Sequence, residues 1–99
     1  MVYLERVGAA KEEFEKSWEL VAQMRDFYRQ CPEVKVVEIL YPITGPINEL
    51  RIRIGFESLA DEEKWSLRVR NDPEYVRLVR DSTKLTTVPV DYLYRTVFE

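Results

Sequence analysis

Hydrophobic and polar residues alternate most cleanly at positions 48–57, NELRIRIGFE. Leu50, Ile52, Ile54 and Phe56 fall on one side, and Arg51, Arg53 and Glu57 on the other. A period of two sends successive side chains to opposite faces, so this segment reads as a strand with one apolar face. VYLERV (2–7) is short, β-rich and partly alternating, and reads as the first strand. VKVVEILY (34–41) is the second, and the connection PITGPI has the Pro and Gly chemistry of a hairpin. TTVPVDYLYRTVF (86–98) closes the chain as a fourth strand, where Pro89 marks an edge or bulge, or trims the start.

Between these strands the period changes. From about Ala9 to Cys31, apolar residues recur at Phe14, Trp18, Val21 and Tyr28, beside a stripe of Leu20, Met24, Phe27 and Cys31. That spacing predicts a helix with a broad buried face. Glu12 and Glu13 are expected in its first turn, where the dipole favours anions, and Pro32 ends it. Ser58, three residues before Asp61, resembles a capping box for a helix running to about Arg70 with Trp65 and Val69 inward. Asp72 followed by Pro73 is helix-start chemistry, with Tyr75, Val76 and Val79 as the expected buried side of a short continuation.

The order is β-α-β-β-α-β, a ferredoxin-like α+β sandwich with a four-stranded antiparallel sheet, in one domain over residues 1–99. Two helical segments cover one face of such a sheet. The other face is not polar either: the second strand shows Val34, Val36 and Leu40 on one side and Val37, Ile39 and Tyr41 on the other. The fourth shows Val88, Val90, Tyr92 and Tyr94 against Leu93 and Val97. A sheet apolar on both sides needs cover on both, and a second copy packed sheet to sheet is the economical source. The expectation is a homodimer through the sheet face.

Composition narrows the function classes. A chain of 99 residues buries roughly 60–65% of the surface its unfolded form exposes, a modest core that a partner subunit readily supplements. Charged residues are 33% and the net charge is −3, which argues against nucleic acid, whose binding needs a basic face. One cysteine, Cys31, excludes an internal disulfide and fits a reducing compartment. The opening MVYLERV is unlike a signal peptide, and no apolar run reaches the ~20 residues needed to span a bilayer, so a cytoplasmic location is expected.

INELRIRIGFESLADEEKWSLRVRNDPEY (47–75) adds a resemblance. Its asparagine-led strand, aromatic-x-Ser-Leu-Ala junction and Asp-Pro-Glu-aromatic helix restart are similar to those of the NIPSNAP-like domains of the dimeric α/β-barrel superfamily. VYLER (2–6) is a weaker echo of that family's opening Tyr-Glu-Leu-Arg strand, with Glu and Leu exchanged. The resemblance implies a ferredoxin-like fold, a homodimer, and a pocket between sheet and helices. It also implies a choice between a small-molecule-binding protein of unassigned role and a cofactor-independent monooxygenase or polyketide cyclase acting on an aromatic substrate. The superfamily also contains muconolactone-type isomerases and haem-degrading enzymes. The family often carries a His and a Trp on its third strand; here the matching positions are Ile52 and Ile54.

The chain contains no histidine, which removes Ser-His-Asp and Cys-His catalysis, a proximal haem ligand and the usual imidazole metal ligand. No cofactor and no metal are expected, Glu12, Glu13 and Glu15 reading as a solvated helix start. Cys31, at a helix C-terminus, reads as a buried structural thiol, because the dipole there disfavours a thiolate. Arg51 and Arg53 offer either an anion clamp or ion pairs with Glu5, Glu38, Asp91 or Glu57; the abundance of carboxylates on neighbouring strands favours ion pairs. A pocket for a small aromatic or acidic ligand would be walled by Trp18, Tyr28 and Trp65 and floored by Ile52 and Ile54, unless these rings are plain core. Tyr92 and Tyr94 would supply phenolic donors to it or pack at the dimer seam. The arginines in RVRNDPEYVRLVRD are interleaved with Asp72, Glu74 and Asp81 and read as a solvated helix face.

Overall fold

A computed structural model describes residues 1–12 and 14–98. Its elements run β1 (Val2–Ala9), α1 (Phe14–Gln30), β2 (Val36–Leu40), β3 (Glu49–Phe56), α2 (Leu59–Val69), α3 (Pro73–Leu85) and β4 (Val90–Arg95). The strands form one antiparallel sheet in the order β2-β3-β1-β4, as a ferredoxin-like sandwich requires.

Alternation decides the two faces. Across β1 and β3, Val2 pairs with Phe56, Leu4 with Ile54 and Arg6 with Ile52, all on the helix side. Phe56 and Ile54 are 0% exposed, and with Leu20, Val21, Met24, Tyr28, Trp65, Val69 and Leu78 they make the core. Tyr3, Glu5, Arg51, Arg53, Tyr92 and Tyr94 lie in the opposite phase of the same ladders and face away from the helices.

The helix junctions follow their local chemistry. Ser58 Oγ accepts the Asp61 amide at 3.2 Å and starts α2. Asp72 Oδ1 accepts the Glu74 and Tyr75 amides, and Pro73 supplies a preset first residue for α3.

Several boundaries differ from the sequence expectation. β1 continues to Ala9, where the Asn48 side chain and the Asn48 carbonyl hold neighbouring Ala10, so α1 begins at Phe14 rather than near Ala9. Glu12 therefore precedes the helix, Glu15 is the acid of its first turn, and Glu13 lies outside the described residues. β4 spans Val90–Arg95, beginning directly after Pro89, whose missing N–H trims the ladder; Thr86 makes only an isolated bridge to Ala10. In α3 the buried residue is Leu78, while Val76 and Val79 are exposed at 48% and 38%. The helix is rotated so that Leu78 meets the core and Tyr75 meets its edge.

Candidate functional site

Arg6 is the one cation that the phase of β1 directs at the helices, in line with Val2 and Leu4. Its guanidinium is largely buried and has four contacts. Nε and Nη2 donate to the two carboxylate oxygens of Asp91 at 2.8 and 3.0 Å, and Nη1 donates to the hydroxyls of Tyr28 and Tyr75 at 3.2 and 2.9 Å. Asp91 is directly opposite Arg6 in the β1–β4 ladder, so strand register alone brings the ion pair together. Tyr28 comes from the buried stripe of α1 and Tyr75 from the first turn of α3. Side chains from three elements thus converge on the charge that β1 carries.

The electrostatics are those of a desolvated but compensated cation. Burial works against the Arg6 charge, but the Asp91 hydrogen bond and the neighbouring Tyr28 and Tyr75 oxygens outweigh it, and the guanidinium is held above its usual range. Burial pushes the Tyr28 hydroxyl upward, with Arg6 acting in the opposite sense, so this phenol stays neutral.

Arg6, Tyr75 and Asp91 line a cleft of about 220 Å³ between the sheet and the helices, walled otherwise by Met24, Val79, Pro89 and Ser82, whose hydroxyl donates to the Val79 carbonyl. A recess of about 40 Å³ beside it shares Arg6, Met24 and Pro89 and reaches Ile52 and Val21. An apolar wall with a few convergent polar groups is the usual make-up of a small-ligand site. A larger surface groove of about 750 Å³ lies between α1 and α3, lined by Lys11, Lys16 and Lys84 with Glu12, Glu19 and Asp81. It is open and mixed in charge, without a buried polar group, and the cleft at Arg6 is the better-built site.

The residues expected to form the pocket divide into three groups. Tyr28, Ile52, Ile54 and Trp65 do come together, but as close-packed core: Trp65 is 2% exposed, with ring centroids of Phe56, Tyr28 and Tyr75 at 5.4, 5.9 and 6.1 Å. The indole Nε1 is buried without a hydrogen-bond partner among the described residues. Trp18 lies apart, in an aromatic cluster with Phe14 and Tyr41 at 5.8 and 5.7 Å. Tyr92 and Tyr94 cannot share a wall with Trp65 in one chain, because they stack on each other on the far face of the sheet, 6.2 Å apart.

On that face Arg51 and Arg53 converge on Glu5, at 2.6 and 3.3 Å, and Glu5 is 4% exposed beneath them. The Glu5 hydrogen bond is the main reason that the Arg51 guanidinium sits above its usual range. These arginines are engaged in ion pairs, as the supply of neighbouring carboxylates implied. Asp91 is not among their partners, since it faces Arg6 on the helix side. Tyr3, Glu5, Arg51, Arg53 and Tyr94 border a shallow depression of about 400 Å³.

Cys31 is buried, with its thiol donating to the Phe27 carbonyl at 3.4 Å. Reasoning from sequence overlooked Arg6. The available signal was a charged residue in phase with the apolar set Val2 and Leu4 on a strand expected to face helices.

The cofactor-independent oxygenase SnoaB from Streptomyces nogalater superposes with a TM-score of 0.81 at 9% identity, over 99% of this chain and 94% of that one. An antibiotic biosynthesis monooxygenase superposes at 0.78 with 14% identity, covering 98% and 99%. An uncharacterized NIPSNAP domain protein from Burkholderia xenovorans superposes at 0.76 with 11% identity, covering 98% and 95%. The chain has the ferredoxin-like fold of these proteins. At such identities the likeness establishes the fold alone. No protein-family model matches the sequence, and no curated protein matches it significantly. Among the described residues, no helix is long and apolar enough to cross a membrane.

Proposed function

We propose that the protein is a homodimeric, NIPSNAP-like small-molecule-binding protein whose ligand occupies the cleft between the sheet and helices α1 and α3. The observation that carries this reading is the buried Arg6, braced by Tyr28, Tyr75 and Asp91 and fronting a cleft walled mainly by Met24, Val79 and Pro89. Stability alone does not call for a cation in the helix–sheet layer, since an apolar residue of similar volume is often at least as stabilising. Tyr28, Ile52 and Trp65 form the rigid backing, and Tyr92 and Tyr94 belong to the subunit contact.

The dimer reading rests on the far face of the sheet. Val90, Tyr92 and Tyr94 are exposed at 53%, 46% and 49%, beside Tyr3, Val7, Val36 and Leu40, while Glu5 is already neutralised by Arg51. A face with apolar residues around a centre of paired charges suits a two-fold copy of itself.

An oxygenase without cofactor is the second reading, favoured by the close superposition with SnoaB. In that case the phenol and guanidinium in the cleft would hold a substrate oxygen while enclosure excludes water. Substrate-dependent O2 consumption by the purified chain separates it from simple binding.

The test is a thermal-shift screen of planar aromatic and acidic metabolites with the native mass recorded alongside. The expected mass is twice the 11.8 kDa of one chain, falling to one chain in a Tyr92→Lys/Tyr94→Lys variant. Any ligand-induced shift is expected to vanish in Arg6→Met. A single-chain mass at micromolar concentration overturns the dimer, and a shift that survives Arg6→Met overturns the cleft.

A further inference from the structure

We propose that Arg6 and Tyr75 anchor a neutral acceptor oxygen of the ligand, such as a carbonyl, and that Asp91 turns carboxylates away from the same cleft. The inference rests on the cleft being the ligand site and names which chemistry it accepts.

A guanidinium has five N–H donors in a fixed plane. Nε and Nη2 each give one to Asp91, and Nη1 gives to Tyr28 and Tyr75, so one Nη2 proton is left over. The Tyr75 hydroxyl accepts from Arg6 at 2.9 Å and donates to no other described residue. A phenol that accepts from a cation is polarised into a stronger donor. Both groups line the cleft, whereas Tyr28, 1% exposed, stands behind them and fixes the guanidinium.

The charges then decide the ligand's polarity. Asp91 holds the guanidinium with two parallel bonds, so the pair is close to neutral as it stands. A carboxylate entering the cleft would meet a cation already compensated and the Asp91 anion beside it. An uncompensated charge in a partly desolvated site is costly. A neutral oxygen can take the two available donors without that cost, and Met24, Val79 and Pro89 give its hydrocarbon frame an apolar wall.

The experiment is isothermal titration at pH 7 of the full chain with 2-acetonaphthone and 2-naphthoate, which carry a ketone or a carboxylate on the same bicyclic frame. Wild type, Tyr75→Phe and Asp91→Asn are compared, with circular dichroism to establish that each is folded. The ketone is expected to bind at least tenfold tighter than the acid to wild type. Tyr75→Phe weakens the ketone about 3–10-fold, the range of one neutral hydrogen bond, and leaves the acid unchanged. Asp91→Asn strengthens the acid at least tenfold. A wild type that binds the acid as tightly as the ketone, or a ketone affinity indifferent to Tyr75→Phe, overturns the assignment and leaves the cleft standing as a ligand site. No binding of either probe to wild type at millimolar concentration overturns the assignment and the cleft together.

Discussion

Tyr28→Phe isolates a single hydrogen bond at the centre of the molecule. The hydroxyl accepts from Arg6 Nη1 at 3.2 Å, and the residue is 1% exposed, so water cannot replace what is lost. The ring contacts with Phe27 and Trp65, both at 5.9 Å, are kept by phenylalanine. A hydrogen bond from a charged donor contributes about 1.5–3 kcal/mol. This one is long and Arg6 keeps its other three hydrogen bonds, to Asp91 and Tyr75, so the lower end, about 1.5 kcal/mol, is expected, or about 6–12 °C in Tm for a domain of this size. Arg6→Met leaves the Tyr28 oxygen buried without a donor, at about 1–3 kcal/mol, while Asp91 turns to solvent. In the double variant both partners are gone, and the coupling energy should reach about 1–2 kcal/mol. The assay is urea unfolding followed by Trp fluorescence at one fixed protein concentration, because a dimer's apparent stability depends on it. Additivity within about 0.5 kcal/mol would refute the clasp as an energetic unit.

The same tyrosine has a signature in alkali: its folded pKa is raised above the unfolded value of about 10, so its contribution is complete below that pH and declines above it. The stability gap between wild type and Tyr28→Phe should therefore narrow from about pH 10 upward, read from denaturation at stepped pH. Arg68 grips Glu33 with two bonds, at 3.0 and 2.7 Å, and this hydrogen bonding holds the Glu33 carboxyl below the usual carboxylate range. Arg68→Met should cost about 1 kcal/mol at neutral pH, discounted for the half-exposed guanidinium, and the cost should fade as pH drops below about 4, seen by acid titration of both proteins. Trp65→Ala removes a ring with three aromatic neighbours from a dry site and should cost about 3–5 kcal/mol; a variant with unchanged Tm would show that the site is not close-packed.

Much of the fold was written in short-range patterns. The alternation Leu50-Ile52-Ile54-Phe56 fixes the helix-facing side of β3, and Asp72-Pro73 breaks the second helical segment where the structure breaks it. Starts and ends were less legible. Gly8 and Ala9 have no strong strand preference and join β1 only because β3 and Thr87 offer partners. Val76 and Val79 looked as apolar as Leu78, and which of them is buried depends on the rotation of α3 against the core. The site was harder still. Ring-rich helices pointed to Trp65 and Tyr28, which are indeed adjacent, but Arg6 acquires its role from residues 22, 69 and 85 positions away, and only register brings Asp91 opposite it. The placement of Tyr92 and Tyr94 on the far face follows from the same register, through Glu5 and Tyr3.

β4 is an edge strand in which every residue is exposed, so its apolar side chains do little to hold it against the sheet. Its attachment comes from the ladder to β1 and from the two bonds that Asp91 accepts. Because the guanidinium that supplies those bonds also grips α1 and α3, the strand cannot lift away without slackening both helices. Its amide protons will therefore exchange with deuterated water in step with openings of the layer behind it, and whatever settles against Arg6 will be felt along the margin of the sheet.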